Sequence, residues 1–116
     1  MVINLSYPPA GLNPNKTKGR HWGPIHKLKK SYQDVIGWEA IGHRPALPPE
    51  GDIKLIITFH PPDHRHRDDD NAIGGFKYAR DTLAKLWGVN DRRFRPVYQW
   101  GNVIKGGRVT VEVCST

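Results

Sequence analysis

The segment Ile53–His60, IKLIITFH, constrains the fold of this chain more than any other. Its density of β-branched and aromatic residues over eight positions is typical of a buried β-strand. Pro61 and Pro62 follow directly and end the strand, because proline has no backbone N–H to donate to a neighbouring strand. A chain of 116 residues with this strand at its centre is expected to form one domain, residues 1–116, built around a sheet.

Two segments with helical spacing flank this strand. The first predicts a helix over residues 25–41 that ends at Gly42 and Pro45, and the second predicts a helix over residues 70–86 that ends at Gly88. The stripe of the first helix is Leu28, Tyr32, Val35, Ile36 and Glu39, and the apolar stripe of the second is Ile73, Phe76, Ala79, Leu83 and Leu86.

Shorter β-rich segments lie at the two ends of the chain. Val2–Tyr7 predicts a strand, closed by Pro8-Pro9. Phe94–Ile104 and Arg108–Val113 predict a hairpin whose turn is Lys105-Gly106-Gly107. The order β-α-β-α-β-β therefore predicts an α+β fold, in which two helices pack on a mixed sheet.

The net charge narrows the class of function. Lys and Arg number 18 against 11 Asp and Glu, which gives a net charge of +7 and a pI of about 9.8. Such a surface is typical of nucleic-acid binders, although membrane-surface and secreted proteins share it. No apolar run approaches the roughly 18 residues of a membrane span, and the first residues lack the pattern of a signal peptide. We therefore expect a cytoplasmic protein without a membrane partner.

Three consecutive aspartates, Asp68, Asp69 and Asp70, stand out in so basic a chain. Adjacent carboxylates repel one another, and a divalent cation is the simplest compensating charge. In an extended segment Asp68 and Asp70 project to one side and Asp69 to the other. Asp68 and Asp70 are therefore the predicted ligands. Oxygen donors favour Mg²⁺ or Mn²⁺. The alternative is that these residues cap the following helix, interact with its dipole, and balance the neighbouring arginines.

His64, His66 and Cys114 do not form a recognised zinc pattern, because they are too few and too far apart in the sequence.

The second predicted helix carries two more charged residues on the face of Asp70. At about 100° per residue, Lys77 and Asp81 each lie within about 20° of it. Lys77 is thus placed to contact a phosphate beside a metal-bound carboxylate; alternatively, Lys77 and Asp81 are a surface i,i+4 pair. Asp91, in a basic segment beyond Gly88, becomes a third ligand either if the chain doubles back or if a second subunit supplies it.

A series of motifs extends from the acidic cluster to the end of the chain. It consists of R-D-x-D-N at Arg67–Asn71, Lys77 on the helix, Asn90-Asp91, and the segment Lys105–Val113. This order, together with the opening strand, Pro8-Pro9 and the basic, Asn-rich loop that follows them, resembles the RusA family of Holliday junction resolvases over nearly the whole chain. Members of that family are small, mostly prophage-derived endonucleases.

The resemblance implies an intimate homodimer that uses Mg²⁺, with Mn²⁺ as a substitute, to nick two strands symmetrically across a four-way junction in recombination and repair. It implies that Asp68, Asp70 and Asp91 are catalytic metal ligands and that Lys77 is the catalytic lysine. In the founding member the lysine lies one turn after D-x-D, where this chain has Gly74. Lys77 is about one turn later, on the same face.

The leading hypothesis is therefore a structure-specific endodeoxyribonuclease acting in a bacterial or phage-infected cell. The alternatives are a non-catalytic basic module that binds branched or duplex DNA, and a toxin-like or general RNA nuclease. The residues expected to bind the DNA backbone are Arg65, Arg67, Arg92, Arg93, Lys16, Lys18, Arg20, Lys27, Lys29 and Lys30.

Overall fold

The computed structural model describes residues 2–12, 22–64 and 69–114, and for residues 22–24 and 69–70 it describes the backbone alone. The strands are β1 (Val2–Leu5), β2 (Ile53–His60), β3 (Phe94–Trp100) and β4 (Arg108–Val113), and the helices are α1 (Trp22–Ala40) and α2 (Asp69–Trp87). Two short 3₁₀ turns, Ala10–Leu12 and Asp91–Arg93, complete the described elements. The predicted α+β class and the order β-α-β-α-β-β are confirmed.

The four strands form one mixed sheet in the order β1-β4-β2-β3. β2 pairs in parallel with β3 on one side and antiparallel with β4 on the other. β1 is an edge strand and pairs antiparallel with β4, so that Val2 lies opposite Glu112. Ile53–His60, the strand from which the fold was predicted, is therefore the strand at which the parallel and the antiparallel parts of the sheet meet.

The predicted hairpin between β3 and β4 is wrong, because β2 lies between these strands. The turn itself exists: Gly106 and Gly107 have φ values of +84° and +77°. However, β3 ends at Trp100, and the following residues cross the end of β2. The N–H of Gly101 donates to the Phe59 carbonyl at 2.9 Å, and that of Ile104 donates to the Pro61 carbonyl at 3.0 Å. These bonds carry the chain to the far side of β2 before the turn.

The core lies between the two helices and one face of the sheet. Ile53, Leu55, Ile57 and Phe59 are buried at every second position of β2, which shows that one face of the strand is covered. Buried residues of the helices complete this core: Tyr32, Ile36 and Ala40 of α1, and Ala72, Phe76, Ala79, Leu83, Ala84 and Trp87 of α2.

Two residues of the predicted stripes are exposed. Val35 is 43% exposed, and α1 instead buries Ala40, which follows Tyr32 and Ile36 at helical spacing. Leu86 is 41% exposed, whereas Trp87 is 2% exposed and donates its Nε1–H to the His43 carbonyl at 3.3 Å. The large indole thus closes the end of the core in place of the leucine.

The glycines of α2 do not interrupt the helix, which runs without a break from Asp69 to Trp87. A Cβ atom at Gly75 would lie 3.1 Å from Pro8 Cβ, so this glycine permits close packing of the segment that follows β1. In that segment, the N–H and Oγ of Ser6 donate to the two carboxylate oxygens of Glu39, at 2.8 and 2.9 Å. Neither helix, over the described residues, has the length and apolar character needed to cross a membrane.

Candidate functional site

The turn that ends α2 reverses the direction of the chain. Gly88 has a φ of +69°, and its N–H donates to the Lys85 carbonyl at 3.2 Å. The N–H of Val89 donates to the Ala84 carbonyl at 3.0 Å. These two bonds and the left-handed glycine are a Schellman motif. Because of it, the residues after Val89 return alongside the last turns of α2.

A 3₁₀ turn then fixes the position of Asp91. Asn90 caps this turn: its side chain accepts a hydrogen bond from the Arg92 N–H at 2.9 Å, and its carbonyl accepts one from the Arg93 N–H at 3.0 Å. Asp91 is the first residue of the turn, where its carboxyl group meets that of Asp81 on α2. The two carboxyl groups lie within hydrogen-bonding reach, so that Asp81 can donate a hydrogen bond to Asp91 when it is protonated.

This contact changes the acidity of Asp81. Burial raises the pKa of its carboxyl, and the hydrogen bond and the negative charge of Asp91 raise the pKa further. Lys77 and Arg80 act in the opposite direction. The Asp81 carboxyl therefore holds its proton more tightly than an isolated aspartate does, and a divalent cation would relieve the same repulsion.

The carboxyl pair lies in a cleft of about 510 Å³ between α1 and α2, closed at one end by the turn. The polar side chains that line it are Lys29 and Gln33 from α1, Lys77, Asp81 and Lys85 from α2, and Asn90 and Asp91 from the turn. Three lysines thus surround two aspartates in a concave space.

Tyr78 of α2 positions the α1 side of the cleft. The Lys29 Nζ lies 5.1 Å from the centroid of the Tyr78 ring, within the range of a cation–π interaction. Gln33 Nε2 donates to the Tyr78 carbonyl at 3.4 Å. Both contacts join the two helices next to the cleft, so the position of Lys29 is set by packing.

The structure brings some of the sequence-predicted residues together. Lys77 and Asp81 lie on one face of α2, as their spacing predicts, and both line the cleft. Asp91 joins them through Asp81. The backbone of Asp70 is in the first turn of α2, eleven residues before Asp81, which corresponds to about 16 Å along the helix axis. Within one chain, Asp91 therefore pairs with Asp81 at the other end of the helix from Asp70.

The remaining predicted ligands and several predicted DNA-binding residues lie outside the described residues. They are Asp68, Arg65, Arg67, Lys16, Lys18 and Arg20. Among the residues that the structure describes, no group of three His, Cys, Asp or Glu side chains is arranged to hold a metal ion. The metal site of Asp68, Asp70 and Asp91 stays a prediction.

The predicted DNA-binding residues that are described differ in their surroundings. Arg93 donates to the Gly51 and Pro48 carbonyls, at 2.8 and 2.6 Å, and so holds the loop before β2. Arg92 is exposed. Lys27 and Lys30 are exposed on α1, whereas Lys29 is half-buried and faces the cleft. Contact with DNA stays a prediction for all of them.

Sequence reasoning missed the pairing of Asp81 with Asp91 and the presence of Gln33, Lys85 and Asn90 in the cleft. One local signal for the pairing exists. Gly88 at the end of a helix predicts a left-handed reversal, and Asn90 two residues later predicts a capped turn. Together they indicate that Asp91 returns to α2.

Comparison with known proteins adds one relative. No family model matches the chain. A protein of Xylella fastidiosa, strain Temecula1, named only as uncharacterized, is 36% identical over 99 residues. The match covers 79% of this chain and 61% of that protein, so the chain spans less than two thirds of the relative's length.

Proposed function

We propose that this protein is a Mg²⁺-dependent, structure-specific endodeoxyribonuclease that resolves four-way DNA junctions by paired, symmetric nicks. The observation that carries the proposal is the contact between the Asp81 and Asp91 carboxyl groups inside a cleft lined by three lysines. Carboxylates beside cations are what a phosphodiester hydrolase needs, because the acids hold a metal ion and the cations hold the phosphate.

The donor set of the cleft fits a hard cation. Asp81 and Asp91 present oxygen ligands, and the described side chains that line the cleft include no histidine or cysteine, which favours Mg²⁺ or Mn²⁺ over zinc. Asp81 and Asp91 would hold the ion between their carboxylates. A bound Mg²⁺ supplies Lewis-acid activation and neutralises charge at a phosphodiester.

Lys77 is the proposed catalytic lysine. It is exposed on the same face of α2 as Asp81, and its charge lowers the pKa of that carboxyl, which places the ammonium group in electrostatic contact with the pair. From there it would neutralise negative charge on the phosphate. The family resemblance assigns the same role to this lysine.

A dimer follows if Asp91 shares a metal ion with Asp68 and Asp70, as the resemblance implies. Asp70 begins the helix about 16 Å before the position that Asp91 contacts. A ligand set of all three residues then requires two chains. We therefore propose a homodimer that acts on branched DNA in the cytoplasm of a bacterial or phage-infected cell.

The test is cleavage of a synthetic four-way junction with Mg²⁺, with the nicks mapped on all four strands. We expect symmetric nicks with the natural protein, and a loss of at least about a hundredfold in rate for Asp91→Asn and Lys77→Ala. Asp34→Asn removes an exposed aspartate from the outer face of α1 and serves as the matched control, with unchanged rate. Equal nicking by Asp91→Asn and Asp34→Asn would refute the proposal.

Mixing two inactive variants tests the dimer. If the ligands come from two chains, a heterodimer of Asp70→Asn and Asp91→Asn retains one intact site, and nicking returns on mixing. If mixing restores nothing although the heterodimer forms, the three aspartates do not share one site across two chains.

Two other outcomes would replace the proposal. Junction binding that EDTA leaves unchanged, with no product, would indicate the non-catalytic DNA-binding module. Preferential cleavage of RNA in competition with junction DNA would indicate an RNA nuclease.

A further inference from the structure

No salt bridge joins the lysines of the cleft to an acid in the part of the chain that the structure describes. The cleft's two described acidic residues, Asp81 and Asp91, contact each other, and of the three lysines Lys77 acts electrostatically on Asp81. Lys29 and Lys85 thus line a concave space without a described ion pair, which leaves them available to an anion from solution.

Lys29 differs from its neighbours on α1. Lys27 and Lys30 lie about 200° and 100° around the helix from it and are exposed, whereas Lys29 is half-buried and lines the cleft. Its Nζ is held over the Tyr78 ring. A lysine that packing has already positioned loses less side-chain entropy when it binds a ligand than a mobile surface lysine does.

Lys85 lines the same cleft from the other helix. It lies in the last turn of α2, two turns beyond Lys77, and is exposed. The positive charge of Lys85 also interacts favourably with the dipole of the α2 backbone. That interaction uses no hydrogen bond of the ammonium group, which can still bind an anion.

We propose that Lys29 and Lys85, from two different helices, bind one phosphate group within the cleft, beside the carboxyl pair and Lys77. This assignment rests on the proposed function for the source of the phosphate, which is the backbone of a DNA strand. It makes Lys29 and Lys85 phosphate-positioning residues that the family resemblance does not assign.

The test measures binding and not cleavage, so it is done in EDTA with a labelled four-way junction. Each lysine that contacts a phosphate contributes about 0.9 to the slope of log K against log salt. We therefore expect Lys29→Gln and Lys85→Gln each to lower the slope by about this amount, and Lys29→Arg to restore it. Lys54→Gln, exposed on the open face of the sheet and outside the cleft, is the control. Equal slopes for Lys29→Gln and Lys54→Gln would overturn the assignment.

Lysine acetylation of the natural protein, followed by mass spectrometry, gives an independent measurement that needs no variant. The junction is expected to protect Lys29 and Lys85 more than Lys54, which is exposed on the open face of the sheet. Inorganic phosphate at matched ionic strength is the second arm. Protection by phosphate but not by the junction would overturn DNA as the source, and protection by neither would overturn the site.

These outcomes are separate from those of the cleavage test. If the junction protects Lys29 and Lys85 from acetylation but no nicks appear, the phosphate site is supported and the nuclease is refuted. If junctions are nicked but neither lysine is protected, the nuclease is supported and the phosphate site is refuted.

Discussion

The Asp81 and Asp91 carboxyl groups lie within hydrogen-bonding reach of each other across the turn that ends α2. Asp91 follows Asp81 by ten positions in the sequence, and the reversal at Gly88 brings them together. The contact places two like charges side by side at the closed end of a lysine-lined cleft. It has a cost in stability that can be measured, and the same cost is what a bound cation would remove.

Asp81→Asn is expected to stabilise the folded protein at neutral pH in EDTA. The amide donates a hydrogen bond to Asp91 and removes one of the two repelling charges, for a gain of about 0.5–1 kcal/mol at this partly exposed site. Thermal unfolding measures the effect, and Asp34→Asn, on the outer face of α1, is expected to change little.

The gain is also expected to depend on pH. The pKa of Asp81 is higher in the folded than in the unfolded protein, so its protonated form favours folding. That contribution is present below the unfolded pKa and is lost as the pH rises through the folded pKa. The advantage of the asparagine variant should therefore shrink in acid. An advantage that grows on acidification would contradict the raised pKa.

Gly88→Ala is expected to destabilise the protein by about 1–2 kcal/mol, because φ at this position is +69° and a side chain there is strained. The same change should lower the proposed nuclease activity, since the turn positions Asp91. Urea unfolding measures the first effect.

Gly37→Ala is the matched control for that substitution. Gly37 lies inside α1 with nothing within 4 Å of an added Cβ, and alanine there should stabilise the helix by about 0.5–1 kcal/mol. A similar loss at both positions would show that the left-handed turn is not the cause.

Gly107→Ala is expected to cost more than Gly106→Ala, although both glycines have a positive φ. A Cβ atom at Gly107 would lie 2.7 Å from Tyr7 Cβ, whereas one at Gly106 meets nothing within 4 Å. The difference should be about 1–3 kcal/mol, the usual cost of overpacking. Comparison of the two denaturation midpoints measures it, and equal losses would exclude the contact with Tyr7.

Trp87→Ala is expected to cost about 3–5 kcal/mol, the usual cost of removing a buried aromatic side chain. Trp87 is 2% exposed and is hydrogen-bonded to His43. Trp38→Ala removes the same side chain where it is 76% exposed, and should change stability by less than about 0.5 kcal/mol. A large loss at Trp38 would indicate that a partner covers this face of α1 in solution.

The sequence predicted the elements that local chemistry determines. The β-branched run gave β2 with the bounds that the structure has, and the helical spacing placed Lys77 and Asp81 on one face of α2. It failed where distant segments decide the outcome. The turn at Gly106 and Gly107 suits a hairpin, but the bonds from Gly101 and Ile104 to the end of β2 send the chain across that strand. The spacing of residues within β3 or β4 does not predict that the chain crosses β2 between them.

In the candidate site, too, local spacing predicts some positions and the packing of distant segments decides the others. Periodicity predicts the helix face of Lys77, but it does not predict that Asp91 meets Asp81, because the direction of the chain after a helix depends on the geometry of a few residues at its end. The Schellman bonds at Gly88 and Val89 set that direction. The packing of α1 against α2 determines which lysines line the cleft. Lys29 lines it, whereas Lys30, the next residue along α1, is exposed.

The pairing of Val2 with Glu112 makes the two ends of the described chain neighbours. They lie at one edge of the sheet, and β3, whose preceding turn carries Asp91, forms the opposite edge. A fluorescent label on Val2 and a second one on β3 would therefore lie at opposite edges of the sheet, with β4 and β2 between them. The distance between two such labels would report on whether the sheet keeps all four strands.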